Sequence, residues 1–332
     1  MFKPIAIYYE QQHWFKPLFA ELDRRGTSYI KIDAMAHAYA IEENPEERFS
    51  LVLNRMSPSA SNRGHGDCIF YTLGFLEHLE RRGIRVINGL RAFRTELSKA
   101  AQLSLLDSLD LPYPKARVIH RASQAVAATQ GLRWPVVVKP NIGGSGAGVK
   151  RFDTHEALDS AAQAEELALG LDSTALVQEF IPACESHIVR VEVLNGRYLY
   201  AIKVHITGET FDLCPADICR TTSGVDLNRA ACPVDAPKTG ISVEGFEPPP
   251  DVINDVERVM SHAGIELGGI EYIVDDRDGR RLYYDINALS NFVADGVNVV
   301  GFDPFVKLVN WLEAEASKVD ARLHESALAG VR

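Results

Sequence analysis

No stretch of this 332-residue chain approaches the ~20 consecutive apolar residues that a membrane-spanning helix needs, so no membrane partner is expected. Positive charge is in deficit. The net charge of −10 argues against a nucleic-acid partner, because phosphate-backbone contacts need a basic face. Cysteine is scarce. The five present (Cys68, Cys184, Cys214, Cys219, Cys232) are odd in number and never spaced as CxxC. Structural zinc and a disulfide framework are therefore not expected, and reduced cysteines in a cytoplasmic protein are. Cys214 and Cys219 are set apart, because they fall in a stretch assigned below to the acceptor side. The opening residues lack the small-residue cleavage site of a secretory signal. No internal repeat or low-complexity segment interrupts the chain.

What is there is an ordinary globular composition, 46% hydrophobic and 24% charged, long enough for two or three packed lobes. Short apolar runs at residues 5–9, 29–32, 51–54 and 85–88 alternate with helix-like stretches at 15–24 and 70–82, the second ending at Gly83. That alternation predicts βαβ units and a mostly parallel sheet. A single helix over 95–109 and the turn residues Leu111-Pro112-Tyr113-Pro114 lead into a second lobe with strands at 117–119, 136–139 and 175–180. Its main helix is expected to start at Asp153 or Thr154, with Glu156 as capping partner. A third lobe opens with two runs, 188–194 and 197–206, joined by the hairpin signal Asn195-Gly196. A helix over 251–263 and a β pair at 269–275 and 281–287 follow. The closing helix starts at Asp303 with Pro304 in its first turn, and residues after Val319 read as a loose tail.

The chemistry concentrates in Lys139-Pro140-Asn141-Ile142-Gly143-Gly144-Ser145-Gly146-Ala147-Gly148-Val149. A flexible turn would explain glycines alone. Two familiar phosphate loops are absent: no Lys-Ser/Thr follows the last glycine, and the spacing is not GxGxxG. What lifts the segment is Lys139, closing the apolar run Val136-Val137-Val138. A point charge followed by backbone amides free of side chains suits the β- and γ-phosphates of a nucleotide.

Val-Lys-Pro followed by Gly-Gly-Ser-Gly-x-Gly-Val resembles the ATP-grasp superfamily, in particular its RimK-type glutamate ligases. Further segments agree in order. Ser98-Lys99-Ala100 resembles the family's Asp-Lys-Leu, whose lysine contacts the α-phosphate. Residues Gln178, Glu179, Phe180 and Ile181 resemble the strand that holds adenine between the two ATP-binding lobes. Arg190 and Lys203 fall where the family has basic residues facing phosphate or substrate. Gly269-Ile270-Glu271 and Asp285-Ile286-Asn287 resemble the paired segments that bind two magnesium ions. The match runs from about residue 99 to 293, with Arg55, Asn88 and the N-terminal sheet fitting more loosely. Glu185 is the acid nearest the family's ribose-binding position, although the spacing differs and a plain loop carboxylate explains it as well. Arg220 resembles the arginine near the reacting carboxylate; a surface arginine pairing Asp217 is the alternative. Ser290 and Asn291 are expected to line the same cavity. Arg55 and the loop 57–65 are candidates for a substrate carboxylate, with a solvated loop as the rival explanation. His65 and His187 are read as bystanders.

The metal assignment has a geometric test. Asp285 and Asn287 are two apart on a strand and share a face. A three-residue loop, Arg277-Asp278-Gly279, would pair Asp276 with Arg280 and hence Glu271 with Asp285. Hard oxygen ligands favour Mg2+, with Mn2+ as an alternative.

The resemblance thus implies an α/β (α+β) ATP-grasp fold of three lobes. They are an N-terminal pre-ATP-grasp domain (1–95), a central lobe (96–187), and a C-terminal lobe with the metal site (188–318), followed by a flexible tail (319–332). It implies an ADP-forming carboxylate–amine ligase using ATP, magnesium and small, amino-acid-like substrates, with Arg220, Lys203 and Arg190 as its catalytic group. A small-molecule kinase on the same fold and a nucleotide-binding regulatory protein remain open, as do a homodimer and a homotetramer.

Overall fold

The computed structural model describes residues 3–144, 146–206 and 241–329. Its first sheet has four parallel strands, β1 (Ile5–Tyr9), β2 (Tyr29–Asp33), β3 (Leu51–Arg55) and β4 (Arg85–Ile87), in the order β2-β1-β3-β4. Strands β1 and β3 are buried along their whole length, as strands covered on both faces must be. Helices α1 (Lys16–Arg25) and α2 (Gly66–Arg81) connect them. Gly26 ends α1 in the left-handed conformation (φ 68°) that glycine adopts without penalty.

The helix expected over 95–109 is two helices. Helix α3 (Leu90–Leu97) stops and α4 (Lys99–Ser108) begins at Ser98, which is extended (φ −128°, ψ 107°). Its hydroxyl accepts from Ala101 N at 3.1 Å, capping α4, and donates to Asn141 Oδ1 at 3.1 Å. A side chain that caps competes with helix continuation, and the break makes Lys99 the first residue of a helix.

The second sheet is antiparallel, in the order β5-β8-β6-β7. Its strands are β5 (Ala116–Ile119), β6 (Val136–Pro140), β7 (Lys150–Phe152) and β8 (Ala175–Glu179). Sequence reading missed β7, which is three residues long. Between these strands lie the short α5 (Ala125–Ala128) and α6 (His155–Gln163), the latter capped by Thr154 accepting from Ala157 N.

Among the described residues, the third sheet has five antiparallel strands in the order β11-β10-β9-β12-β13. They are β9 (His187–Leu194), β10 (Arg197–Ile206), β11 (Ile241–Phe246), β12 (Leu267–Val274) and β13 (Arg281–Asn287), with α7 (Pro250–Ala263) before β12. Asn195 and Gly196 both have positive φ (56° and 68°), as a two-residue hairpin turn requires. After α8 (Gly296–Val300), α9 (Pro304–Ala329) closes the fold. Asp303 Oδ1 accepts from Phe305 N at 2.8 Å at its start. Of the tail expected after Val319, the residues as far as Ala329 are helical instead. Leu308, Val309, Leu312 and Ala316 of α9 are buried in the same core as Ile5 and Ile7 of β1, and the helix runs on past that anchored face.

The lobes are stitched by polar side chains. Asn88 Nδ2 donates to Leu267 O and Ala288 O, each at 2.6 Å, while its Oδ1 accepts from Glu266 N and Leu267 N. Arg133 takes both oxygens of Glu179, at 2.9 Å through its backbone amide and 3.3 Å through Nε. Its remaining nitrogens reach Asp275 and Asp278. No helix among the described residues is long and apolar enough to cross a membrane.

Candidate active site

A cavity of about 880 Å3 opens where the three sheets converge. One wall begins with Lys139 at the end of β6. Burial, with Lys99 nearby, pushes its ammonium down to about 8. Asn141 organises the approach. Its Oδ1 accepts from Ala100 N and Ser98 Oγ, its Nδ2 donates to Asp172 at 2.7 Å, and its carbonyl accepts from Lys99 N. Lys99 Nζ donates to Gly143 O at 3.1 Å, so one lysine reaches directly to the glycine loop. Gly143, Gly144 and Gly146 line the cavity with both lysines. Gly144 is pressed against Ser59, where a Cβ would come within 3.1 Å of the serine Cβ, and Asn62 Nδ2 donates to Gly144 O. Gly148 is different: at φ +74° its Cβ would meet Pro140 Cγ at 2.9 Å. Ser145 lies outside the described residues.

The far end of the cavity is the crossover segment. Gln178, Glu179, Phe180 and Ile181 all line it, with the Arg151 guanidinium 4.4 Å from the centre of the Phe180 ring.

The opposite wall is one face of the third sheet. Register aligns Arg190, Glu271 and Asp285 in a row across β9, β12 and β13, and Glu192, Gly269 and Asn287 in the next. The Glu271–Asp285 pairing matches the expectation, but the expected loop does not. Asp275 N bonds Arg280 O and Val274 pairs with Arg281, leaving residues 276–279 as a four-residue turn. That register is one residue out of step. A β-bulge between the Glu271 and Tyr272 pairings, with Tyr284 as the extra residue, restores it. Tyr284 then donates its hydroxyl to Glu271 Oε2 at 2.7 Å. Gln102 of α4 grips the same edge strand, donating to Ile286 O at 2.9 Å and accepting from Ile286 N at 3.0 Å.

Glu271 is 5% exposed; its Oε1 accepts from Arg190 Nη1 at 3.0 Å. Burial and the Asp285 charge raise its carboxyl. Two carboxylates paired across the strands, with the Asn287 carboxamide on the same face, form a hard-oxygen set whose mutual repulsion a divalent cation relieves, so the residues fit magnesium. The described residues hold no cluster of three His, Cys, Asp or Glu able to bind a metal. The set is two carboxylates and an amide, and phosphate oxygens are needed to complete a shell.

Several expected site residues are placed elsewhere. Lys203 pairs with Val189, one position off the row of Arg190. It therefore projects from the other face of the sheet, 5.2 Å from the Phe246 ring centre, and is absent from the cavity wall. Glu185 is also absent from it, its side chain 75% exposed in a turn with φ 52°. Arg55 is buried behind the wall: it donates to Ser290 O and Asn291 Oδ1 and packs on the Phe15 ring. Burial pushes Arg55 down to about 10. Ser290 is likewise buried, its Oγ accepting from Phe292 N, whereas Asn291 does line the cavity. Arg220, Cys214 and Cys219 lie outside the described residues.

Sequence reading missed Glu96, Trp14, Arg151, Asp153 and Glu192, all of which line the cavity, as does Ser57 of the candidate loop 57–65. Burial raises the Glu96 carboxyl to about 8. Glu192 was legible, standing two residues beyond Arg190 on one strand face. Trp14 carried no sequence signal, because only the packing of the first sheet on the other two brings it there.

A family model, D-ala D-ala ligase C-terminus, matches residues 105–215. The D-alanine–D-alanine ligase of Haemophilus influenzae (strain PittEE) is 32% identical over 130 residues, which are 37% of this chain and 41% of that protein. The matched segment thus spans about two-fifths of such a curated relative. Among solved structures, the ATP-grasp ligase PsnB complexed with a phosphomimetic variant of its minimal precursor, Mg and ADP superposes with a TM-score of 0.66 at 16% identity, covering 95% of this chain and 100% of that one. The RimK domain protein ATP-grasp from Sphaerobacter thermophilus DSM 20745 gives 0.65 at 18% identity, covering 92% and 98%. The architecture is the ATP-grasp fold.

Proposed function

We propose that the protein is an ATP-dependent, ADP-forming ligase that joins a carboxylate to an amine through an acyl phosphate. Its three lobes would be residues 1–95, 96–187 and 188–318. One observation carries the reading: two lysines and a glycine loop face a row of acids and an amide across a single cavity. A site that only stored nucleotide would not require both walls.

In this reading the segment from Gln178 to Ile181 borders adenine. Lys99 and Lys139 hold the phosphates, with Gly143, Gly144 and Gly146 (and Ser145 between them) folded over the chain. Glu271, Asp285 and Asn287 would hold magnesium, as one ion or two. When bound, magnesium neutralises phosphate charge and draws the phosphates against the third sheet.

A substrate carboxylate oxygen attacks the γ-phosphorus and the bond to the bridging oxygen breaks, giving ADP and an acyl phosphate. The amine nitrogen then attacks the carbonyl carbon, the carbon–oxygen bond to phosphate breaks, and nitrogen loses its proton. Arg190, held between Glu192 and Glu271, is placed for charge on the transferring group. Lys203, on the other face of the sheet, is left out, and Arg220 remains a candidate for the acyl oxyanion. Asn291, backed by Arg55 and Ser290, borders the acceptor end. Positioning and charge supply most of the rate, and exclusion of water protects the acyl phosphate.

The test is a phosphate-release screen over pairs of amino acids and amines, with mass spectrometry of the products. An amide with stoichiometric ADP and free phosphate supports the ligase. A stable phosphorylated product would replace it with a kinase, and background turnover throughout would count against both.

A further inference from the structure

We propose that the Glu192 carboxylate binds the ammonium group of the amine substrate, so that the cavity selects a primary amine. The word substrate rests on the ligase reading above; the binding itself does not.

Glu192 stands on β9 in the row beside Arg190, lines the cavity and is 1% exposed. Its Oε1 accepts from Arg190 Nε at 2.5 Å. Its Oε2 has no hydrogen-bond partner among the described residues, and no other acid lining the cavity has a fully buried oxygen in that condition. Arg190 reaches the other oxygen of Glu192 through Nε and Glu271 through Nη1 at 3.0 Å. Beneath the carboxylate lies Gly269, where a Cβ would come within 2.9 Å of Oε2, so the sheet offers bare backbone there and no donor side chain.

A buried carboxylate oxygen without a donor is destabilising, and buried acceptors are ordinarily matched. The cation that would match it is small and donates N–H bonds. A fully buried oxygen leaves no room for the waters that Mg2+ keeps, and one oxygen is too few for Ca2+, which takes six or more. A primary ammonium brings three N–H donors on a compact charge, and one of them is enough. Two N–H groups of Arg55, Nε and Nη1, are also buried without partners, and Arg55 feels the Glu192 charge. A water bridging Arg55 to Glu192 is therefore the rival occupant.

The probe is methylammonium chloride, compared with tetramethylammonium chloride at equal ionic strength, on the full chain with Mg and ADP. Methylammonium is expected to raise Tm saturably and tetramethylammonium, which has no N–H, is not. Glu192→Gln should abolish the difference while the variant still folds, read as a cooperative melt. Equal shifts for the two cations, no shift in the wild type (as a bridging water would give), or an undiminished difference in Glu192→Gln would overturn the assignment. Should Glu192→Gln fail to fold, Gly269→Ala keeps the charge and crowds Oε2; an undiminished response there would also overturn it. Once an amine substrate is known, Glu192→Gln should raise its KM about tenfold or more, and by more than it raises the KM of ATP. A silent phosphate-release screen would count against the ligase and leave the methylammonium result standing. A failed methylammonium result would sink the Glu192 assignment alone.

Discussion

The Asn88 carboxamide and the Leu267 peptide are bonded on both sides: Nδ2 donates to Leu267 O at 2.6 Å and Oδ1 accepts from Leu267 N at 3.2 Å. With its bonds to Glu266 N and Ala288 O, one side chain from the end of the first sheet mates two segments of the third. Asn88→Ala would strand buried donors and acceptors on both. A loss of about 3 kcal/mol is expected, read as a lower urea midpoint with unchanged slope. An unchanged midpoint would show that the junction contributes nothing.

Lys139 makes a prediction with a sign. Burial, then Lys99, holds its folded pKa at about 8, against 10.5 as its ordinary value. Between those values the unfolded chain carries the extra proton. Stability of the nucleotide-free protein should therefore rise as pH climbs from about 8 towards 10.5, with the penalty full and constant below 8. Lys139→Met should remove that slope and stabilise the nucleotide-free protein at pH 7 by something on the order of 3 kcal/mol, while abolishing ATP binding. Denaturation midpoints at pH 7 and 9.5, with ATP titrations, check both halves. Nucleotide affinity surviving the substitution would contradict the phosphate role.

The glycines of the loop should separate by function. Gly148 has positive φ and no room for a methyl group, so Gly148→Ala is expected to lower stability by about 2 kcal/mol. Gly143 has nothing within 4 Å of its would-be Cβ and faces the cavity. Gly143→Ala should leave Tm unchanged and weaken ATP. Thermal melts alongside nucleotide titration distinguish them, and equal stability losses would defeat the contrast.

Asp285→Ala should eliminate magnesium-dependent ADP formation without unfolding the protein. Removing its charge relieves one of the two influences that raise the Glu271 carboxyl, so the melting temperature should hold or increase. Full activity in the variant would remove Asp285 from the metal set.

How much of this was legible in the sequence follows the range of the forces involved. The four strands of the first sheet and the hairpin at Asn195-Gly196 are local in origin, set by apolar runs and turn residues, and all of them are present. Lys139 and the glycines announced themselves by spacing, and the pairing of Glu271 with Asp285 by alternation. The break at Ser98 was hidden because one of the two bonds that hold its hydroxyl reaches Asn141, 43 residues away. Lys203 was misplaced because similarity in order says nothing of which sheet face a side chain takes. Register decides that, and it sets Lys203 beside Val189.

The tip of the last hairpin and the irregularity at Tyr284 form a matched pair of offsets. Each alone would reverse which side of β13 faces the cavity; together they cancel. Insertions at the tip are therefore constrained by parity rather than by size. Adding two residues should preserve the acidic row, whereas adding one would turn Glu271 away from Asp285 unless the strand were straightened in compensation.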